Sequence, residues 1–260
     1  MLNSNFHTQT TLCRHAVGEP REYVESAIKS GLKKLGFSDH SPYIFKGNYY
    51  SHFRMFLSDT ESYVKTVLDL KREYSKDITI YLGFEMEYYP RHFEQTFNFL
   101  NAFSPDYFIL AQHCTNNEYD GVYVGNTDLT RKDIDDYVNQ VIEAIKTGVF
   151  SYVAHPDIIA LNGDENYYIE QMKRLCLTAK EFNMPLEFNF LGFATNRRYP
   201  SKRFFNIANE CGNTVIYGVD AHSPKALEVC NQTKENADKF LSEFNLKRTE
   251  NIKLLNGTIV

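Results

Sequence analysis

The chain has 260 residues, a hydrophobic content of 43% and a formal net charge of −5. A chain of this size and composition can bury one large core, so we expect a single domain over residues 1–260. The absence of a lysine and arginine block argues against nucleic acid as a partner, because binding a phosphate backbone needs a concentrated basic surface. The first twenty residues are polar and no apolar run approaches the length of a membrane helix, which predicts a cytoplasmic protein without a membrane partner.

Short apolar runs alternate with amphipathic segments along the chain. The strand-like runs cover residues 3–7, 35–40, 78–85, 107–113, 152–155, 187–190 and 215–222. Helix-like segments cover residues 20–34, 61–74, 91–102, 130–146, 166–182, 201–211 and 234–244. Pro20 suits a first helical position, and Thr130 with Asp133 has the spacing of a capping box. This alternation predicts an α/β protein with a parallel sheet, in the form of a closed or nearly closed β/α barrel.

Histidines and carboxylates recur where the strand-like runs end. They are His7, His15, His40, Glu85, His113, His155, Asp220 and His222. The C-terminal ends of barrel strands meet on one face, where the active sites of such barrels lie. Imidazole and carboxylate groups bind Zn, Mn and Fe(II), and Glu85 could bridge two ions because a carboxylate has two oxygens. The pattern predicts a site with several metal ions, a type suited to hydrolysis of phosphate esters.

Five cysteines, at positions 13, 114, 176, 211 and 230, show no paired spacing. An odd number without such spacing does not indicate a disulfide framework. Cys13 and Cys114 lie next to predicted ligands in the sequence, so a role as metal ligand or nucleophile stands beside the simpler interpretation of small, partly buried side chains near a site.

The residues at the strand ends also form short motifs in a fixed order. From the N-terminus these read His7-Thr8-Gln9 followed by His15, Ser38-Asp39-His40-Ser41, Gly83-Phe84-Glu85-Met86, Gln112-His113, Ala154-His155-Pro156-Asp157 and Val219-Asp220-Ala221-His222. Each motif is weak alone, but the ordered series resembles the polymerase and histidinol phosphatase (PHP) superfamily, specifically its histidinol-phosphate phosphatase branch. The resemblance spans the whole chain. It implies a distorted (β/α)7 TIM-like barrel with the active site at the C-terminal ends of the strands.

The resemblance also implies two or three divalent ions, which could be Zn, Mn or Fe. The implied ligand sets are His7, Gln9, Glu85 and Asp220 for one ion, Glu85, His113 and His155 for a second, and His15, His40 and His222 for a third. Glu85, Asp220 and His222 are the candidate catalytic residues. Gln9 stands where the family has a further histidine ligand. Since an amide oxygen is a weaker, neutral ligand, the first ion is expected to be bound less tightly.

The same resemblance implies a metal-dependent phosphomonoesterase that converts L-histidinol phosphate to L-histidinol and phosphate in histidine biosynthesis, with a metal-bridging hydroxide as nucleophile. Arg197 and Arg198 follow the sixth strand-like run and are the candidate phosphate ligands, because guanidinium groups bind phosphate in a bidentate manner. They could equally be a solvated pair on a loop. Some members of the branch have an arginine where this chain has Ala160-Leu161-Asn162.

Two alternative functions remain open at this point. One is a PHP-family phosphoesterase that acts on another ester, such as a nucleotide or a phosphoprotein. The other is a metal-binding protein in which Gln9 marks a site that has lost activity. Asp39, Glu87 and Asp157 could orient the histidines or, equally well, cap helices and loops, and Asp157 is a candidate leaving-group acid. His52 and His92 match no motif and are predicted to lie on the surface.

Overall fold

The computed structural model of the protein describes residues 1–45, 47, 49–159 and 164–260. The described residues form eight parallel strands in one sheet, and the order of the strands in the sheet is their order in the sequence. The strands are β1 (Ser4–Asn5), β2 (Lys34–His40), β3 (Thr79–Met86), β4 (Tyr107–Leu110), β5 (Phe150–Val153), β6 (Leu186–Asn189), β7 (Thr214–Gly218) and β8 (Lys247–Thr249).

The connections between successive strands are helical. The α-helices are α1 (Pro20–Ser30), α2 (Thr60–Glu73), α3 (Phe93–Asn101), α4 (Arg131–Thr147), α5 (Glu165–Glu181), α6 (Phe190–Ala194), α7 (Lys202–Cys211), α8 (Pro224–Glu228) and α9 (Cys230–Leu241). Pro20 begins α1, and Thr130 and Asp133 form the predicted capping box of α4. None of the described helices is both long enough and apolar enough to span a membrane.

The sheet curls until its two ends meet at the C-terminal side of the strands. Beyond β1 and β7, Thr8 and Ala221 form a parallel bridge in which Gln9 N donates to Ala221 O at 3.0 Å and Ala221 N donates to His7 O at 3.1 Å. The short strand β8 pairs with the N-terminal part of β7. Just beyond β8, Glu250 O accepts a hydrogen bond from Ser4 Oγ of β1 at 2.6 Å. The distorted TIM-like barrel is therefore confirmed, with an eighth strand in addition to the predicted seven.

Alternation along each strand separates two apolar layers. Phe108 and Leu110 of β4 belong to the large core between sheet and helices, whereas Tyr107 and Ile109 belong to a smaller cluster inside the barrel. Tyr107 crosses the interior and donates to Phe6 O at 2.8 Å. A Cβ at Gly36 or at Gly83 would lie 2.2 or 2.4 Å from Tyr107 atoms, so both strands need glycine there. Side chains above this layer point into the C-terminal mouth of the barrel.

Candidate active site

The mouth of the barrel collects the predicted ligands because they are inward-facing residues at or just beyond the strand ends. His40 and Glu85 are directly opposite each other in the β2–β3 register. His113 and His155 follow β4 and β5, while His7 and Asp220 follow β1 and β7. His155 and Asp220 have φ values of 29° and 53°, an uncommon region for residues other than glycine that is often found at functional sites.

Glu85 lies at the centre of this cluster, and its two carboxylate oxygens face different histidines. Oε1 is 3.2 Å from His155 Nε2 and 3.6 Å from His113 Nε2. Oε2 is 3.3 Å from His7 Nε2 and 3.3 Å from His40 Nδ1. This arrangement is the one expected of a carboxylate that bridges two ion positions.

Asp220 lies between His7 and two histidines nearer the surface, His15 and His222. Its Oδ1 is 3.4 Å from His7 Nε2 and 3.3 Å from His222 Nδ1. His222 Nε2 lies 2.9 Å from His15 Nε2, and the ring centroids of His15 and His40 are 5.4 Å apart. All eight strand-end histidines and carboxylates that the sequence singled out therefore lie in one cluster.

The ligand atoms also fall into compact sets of three. Among the described residues, the sets with candidate ligand atoms within 4.8 Å of one another are His7, Glu85 and His155; His40, Glu87 and His113; and Cys13, His15 and His222. They overlap with the three implied ligand sets, but the grouping differs. His155 lies with His7 and not with His113, His40 lies with His113 and not with His15 and His222, and Asp220 is in none of the three. Glu87 and Cys13 are additional candidates. Burial raises the pKa of Cys13 to about 12. Its thiol is thus neutral at pH 7 unless an ion binds, because only the thiolate binds metals strongly.

Two buried glutamates orient candidate ligand histidines through the ring nitrogen that faces away from the centre. Glu187 on β6 accepts from His7 Nδ1 at 2.7 Å, and Glu87 accepts from His113 Nδ1 at 2.8 Å. Such hydrogen bonds fix the tautomer that leaves Nε2 free to bind an ion. Glu187 was not among the predicted site residues. Its charge at a strand position that alternates with the apolar Leu186 and Phe188 was the signal that could have revealed it.

The charges of the central groups follow from their neighbours. Burial opposes ionisation of Glu85, but His40 and His7 together hold the pKa of this carboxyl well below its usual range. Burial likewise opposes ionisation of Asp220, yet His7 and His222 lower its pKa to about 2. Burial alone would lower the pKa of His7, whereas Asp220, Glu187 and Glu85 raise it well above the usual value. The site thus attracts positive charge.

These donors fit divalent ions. With ion–ligand distances of about 2.0–2.2 Å, neighbouring ligand atoms of a tetrahedral site lie roughly 3.3 Å apart. The distances from Glu85 and Asp220 to the surrounding histidines, 3.2–3.6 Å, match that spacing. In addition, the buried Nε2 atom of His7 has no hydrogen-bond partner among the described residues, although it faces two carboxylates. A cation between these atoms would satisfy all of them.

Gln9 is completely buried beside the central carboxylate. Its Nε2 donates to Glu85 Oε2 at 2.5 Å, and its Oε1 accepts from the backbone N–H of His40 at 3.1 Å. In this arrangement the amide nitrogen, not the oxygen, faces the ligand cluster.

A cavity of about 470 Å³ opens from the ligands to the surface. Its further lining residues are Phe53, Tyr123, Ile158, Leu191, Arg197 and Tyr199. Arg197 Nη1 donates to Tyr199 Oη at 2.9 Å, so its guanidinium is held at the cavity wall. Arg198 is exposed and donates to the carbonyl oxygens of Gly125 and Asn126, away from the cavity. Of the two predicted phosphate ligands, the structure brings only Arg197 to the cavity.

The remaining polar residues of the motifs have structural partners. Asp39 accepts from Thr10 N at 2.9 Å, and Asp157 accepts from Ser201 N at 2.7 Å. Asp157 is not among the described residues that line the cavity. His92 is buried, contrary to its predicted surface position, because it packs at the start of α3 beside Tyr119. Ala160-Leu161-Asn162 lie outside the described residues.

Comparison with known proteins identifies the family and agrees with the fold. The PHP domain family matches residues 5–190, so the chain belongs to the PHP family. A probable histidinol-phosphatase of Deinococcus radiodurans is 28% identical over 234 residues, which cover 84% of this chain and 85% of that protein.

Two solved structures share the architecture. One is a putative histidinol phosphatase from Listeria monocytogenes, with a TM-score of 0.71, 20% identity, and coverage of 86% of this chain and 97% of the other. The second is a histidinol phosphate phosphatase from Lactococcus lactis complexed with zinc, L-histidinol and phosphate, with a TM-score of 0.70, 15% identity, and coverage of 100% and 99%. At these identities the likeness concerns the fold.

Proposed function

We propose that the protein is a metal-dependent phosphomonoesterase that hydrolyses L-histidinol phosphate to L-histidinol and phosphate. The observation that carries the proposal is the position of Glu85, whose two oxygens face separate histidine groups at the floor of the cavity. Family membership and the names of the relatives support the same reaction. We also propose a cytoplasmic location, with which the free cysteines agree.

The proposed ligand sets follow the family order. His7, Glu85 and Asp220 would hold one ion, Glu85, His113 and His155 a second, and His15, His40 and His222 a third. Divalent ions supply the Lewis acidity that makes water nucleophilic at neutral pH and neutralises the charge of a phosphoryl group. The zinc in the Lactococcus lactis structure supports zinc as one candidate, with manganese and iron as the others.

The protein's own groups bind and orient the ester. Arg197 lies where it can donate to phosphate oxygens, with the hydroxyl of Tyr199 beside it. Phe53, Ile158 and Leu191 form an apolar wall that suits the uncharged part of a small organic phosphate. Glu85, Asp220 and His222, the proposed catalytic residues, remain fixed by the histidine and backbone contacts described above. A half-enclosed cavity of this size favours a small-molecule substrate.

The test is phosphate release by metal-stripped protein reconstituted with Zn²⁺, Mn²⁺ or Fe²⁺. L-Histidinol phosphate is compared with a nucleotide monophosphate, a sugar phosphate and a phosphoserine peptide. We expect metal-dependent turnover with L-histidinol phosphate preferred, and loss of turnover in Glu85→Gln. Glu228→Gln, which changes surface ion pairs with Lys29 and Lys225, is the matched control. Preference for another ester would identify a different phosphoesterase, and no turnover of any ester would refute the proposal.

A further inference from the structure

The orientation of the Gln9 amide is fixed by the backbone next to it. On the side of β2 that faces β1, Ser38 N donates to Thr8 O at 2.9 Å, and His40 N is the next donor along the same edge. The first strand has turned away at this point, and Gln9 Oε1 accepts from His40 N in place of a carbonyl oxygen. Because a backbone N–H can only donate, the atom that faces it must be the amide oxygen.

The other end of the amide therefore presents hydrogens to the ligand cluster. Gln9 Nε2 donates to Glu85 Oε2, the oxygen that also faces His7. Turning the amide over would place its oxygen against the Glu85 carboxylate and its NH2 group against His40 N–H. Each buried polar group left unpaired in this way destabilises that orientation. An amide nitrogen that carries two hydrogens has no lone pair to offer a cation.

We infer that Gln9 is not a metal ligand but a positioning residue that donates a hydrogen bond to the bridging carboxylate. This inference rests on the metal centre of the proposed function. The ion among His7, Glu85 and Asp220 then has three protein ligands, one of which shares its oxygen with the Gln9 amide. Each of the three proposed ions then has three protein ligands. The hydrogen bond from Gln9 makes the Glu85 oxygen at this ion less basic, which weakens binding, so we expect this ion to be the most weakly held of the set.

Metal binding, measured separately from activity, tests the inference. Protein stripped with a chelator is titrated with Zn²⁺ by calorimetry and by competition with a chromophoric chelator. Anomalous diffraction from crystals at limiting and saturating Zn²⁺ then locates each ion. We expect the last ion to fill to lie among His7, Glu85 and Asp220, with Gln9 Nε2 turned to Glu85. Equal occupancy at limiting Zn²⁺, or a Gln9 oxygen at a bonding distance of about 2.0–2.2 Å, overturns the inference.

Two variants at position 9 separate a donor from a ligand. Gln9→Met keeps the size but removes both polar atoms. Because the Glu85 oxygen then regains basicity, we expect the affinity for the weakest ion to stay unchanged or to rise, whereas loss of a ligand would lower it. Gln9→His adds a nitrogen that can bind an ion, and we expect it to tighten the weakest ion by about 10- to 100-fold. No change in Gln9→His contradicts the inference.

Gln140→Met is the matched control. Gln140 also uses its amide for two backbone contacts, from Asn116 N at 2.6 Å and to Tyr88 O at 2.8 Å, but it lies on α4 and is not among the described residues that line the cavity. We expect it to lower the free energy of unfolding without changing any Zn²⁺ affinity. The two proposals fail differently: protein that binds no ion and hydrolyses no ester refutes the proposed function, whereas an active enzyme with three equally tight ions refutes only the inference about Gln9.

Discussion

Glu187 accepts a hydrogen bond from Nδ1 of His7 at 2.7 Å, and both side chains are completely buried. Glu187 also accepts from His155 N at 2.9 Å, so one carboxylate ties two ligand segments together. We predict that Glu187→Gln lowers the affinity for the ion at His7 by about 10- to 100-fold, because the charge that orients and polarises the imidazole is lost. Zn²⁺ titration of the stripped variant measures this effect.

Gly218→Ala provides an independent way to disturb the same glutamate. A Cβ at Gly218 would lie 1.7 Å from Glu187 Oε1, so the carboxylate must move. We expect weaker Zn²⁺ binding in this variant as well, although no ligand atom is altered. Unchanged affinity in both variants would show that Glu187 does not support His7.

Arg54 is a buried cation between two glutamates, and its loss is predicted to destabilise the fold. Its Nη2 donates to Glu87 Oε1 at 2.9 Å, its Nε to Glu118 Oε1 at 2.6 Å, and its Nη1 to Ser41 O at 2.6 Å. Arg54→Met leaves two buried carboxylates without the cation that compensates their charge, which costs about 3–5 kcal/mol in the free energy of unfolding. Guanidinium-induced unfolding of the metal-free protein measures this.

The charge explanation for Arg54 has its own control. Adding Glu87→Gln and Glu118→Gln to Arg54→Met removes the unpaired charges, and we expect at least half of the lost stability to return. If the triple variant is no more stable than Arg54→Met alone, packing of the long side chain, and not charge, accounts for the loss.

Arg197 and Arg198 are adjacent in sequence but point to different surroundings, and their substitution should have different effects. Arg197 lines the cavity, whereas Arg198 contacts backbone carbonyl groups outside it. We predict that Arg197→Ala lowers kcat/KM for the phosphate ester by about 10- to 100-fold, since a hydrogen bond to a charged group contributes about 1.5–3 kcal/mol. Arg198→Ala is the control and should not show this loss. Steady-state kinetics of both variants measure the difference. Equal losses would contradict the assignment.

Cys211 is predicted to be the most reactive thiol of the native protein. A hydrogen bond with Cys176 lowers the pKa of Cys211 to about 7, whereas burial raises the pKa values of Cys13 and Cys114 to about 12. The thiolate is the nucleophile and exists above the pKa, so the alkylation rate should rise as the pH increases through about 7 and level off about one unit above. Mass spectrometry after iodoacetamide treatment over this pH range identifies the modified residue.

Removal of the hydrogen-bonding thiol tests the cause of this reactivity. In Cys176→Ala the midpoint of the pH profile should move up towards about 8.5, the value of a free thiol. Faster modification of Cys13 or Cys114 than of Cys211 in the folded protein would contradict the prediction.

The class of fold and the clustering of the eight strand-end histidines and carboxylates were predictable because both depend on local patterns. Apolar runs such as residues 78–85 become β3, which starts and ends one residue later, and the amphipathic segments become helices with ends shifted by a few residues. The strand β8 was missed because Lys247–Thr249 is short, polar and mostly exposed, so no hydrophobic alternation distinguishes it from a loop.

Orientation and partner choice were decided only by the tertiary structure. The sequence placed a glutamine at position 9, but the His40 backbone that turns its oxygen away from Glu85 lies 31 residues further along the chain. Likewise, Glu187 is 180 residues from His7 in the sequence. Arg197 and Arg198 are neighbours in the sequence but differ in role, because the loop directs their side chains to different surroundings. Hydrophobic periodicity and motif order are local properties of the sequence, and they determine which residues reach the mouth of the barrel. Which atoms then face each other depends on closure of the barrel, because that step brings together donors and acceptors that have no relation in sequence.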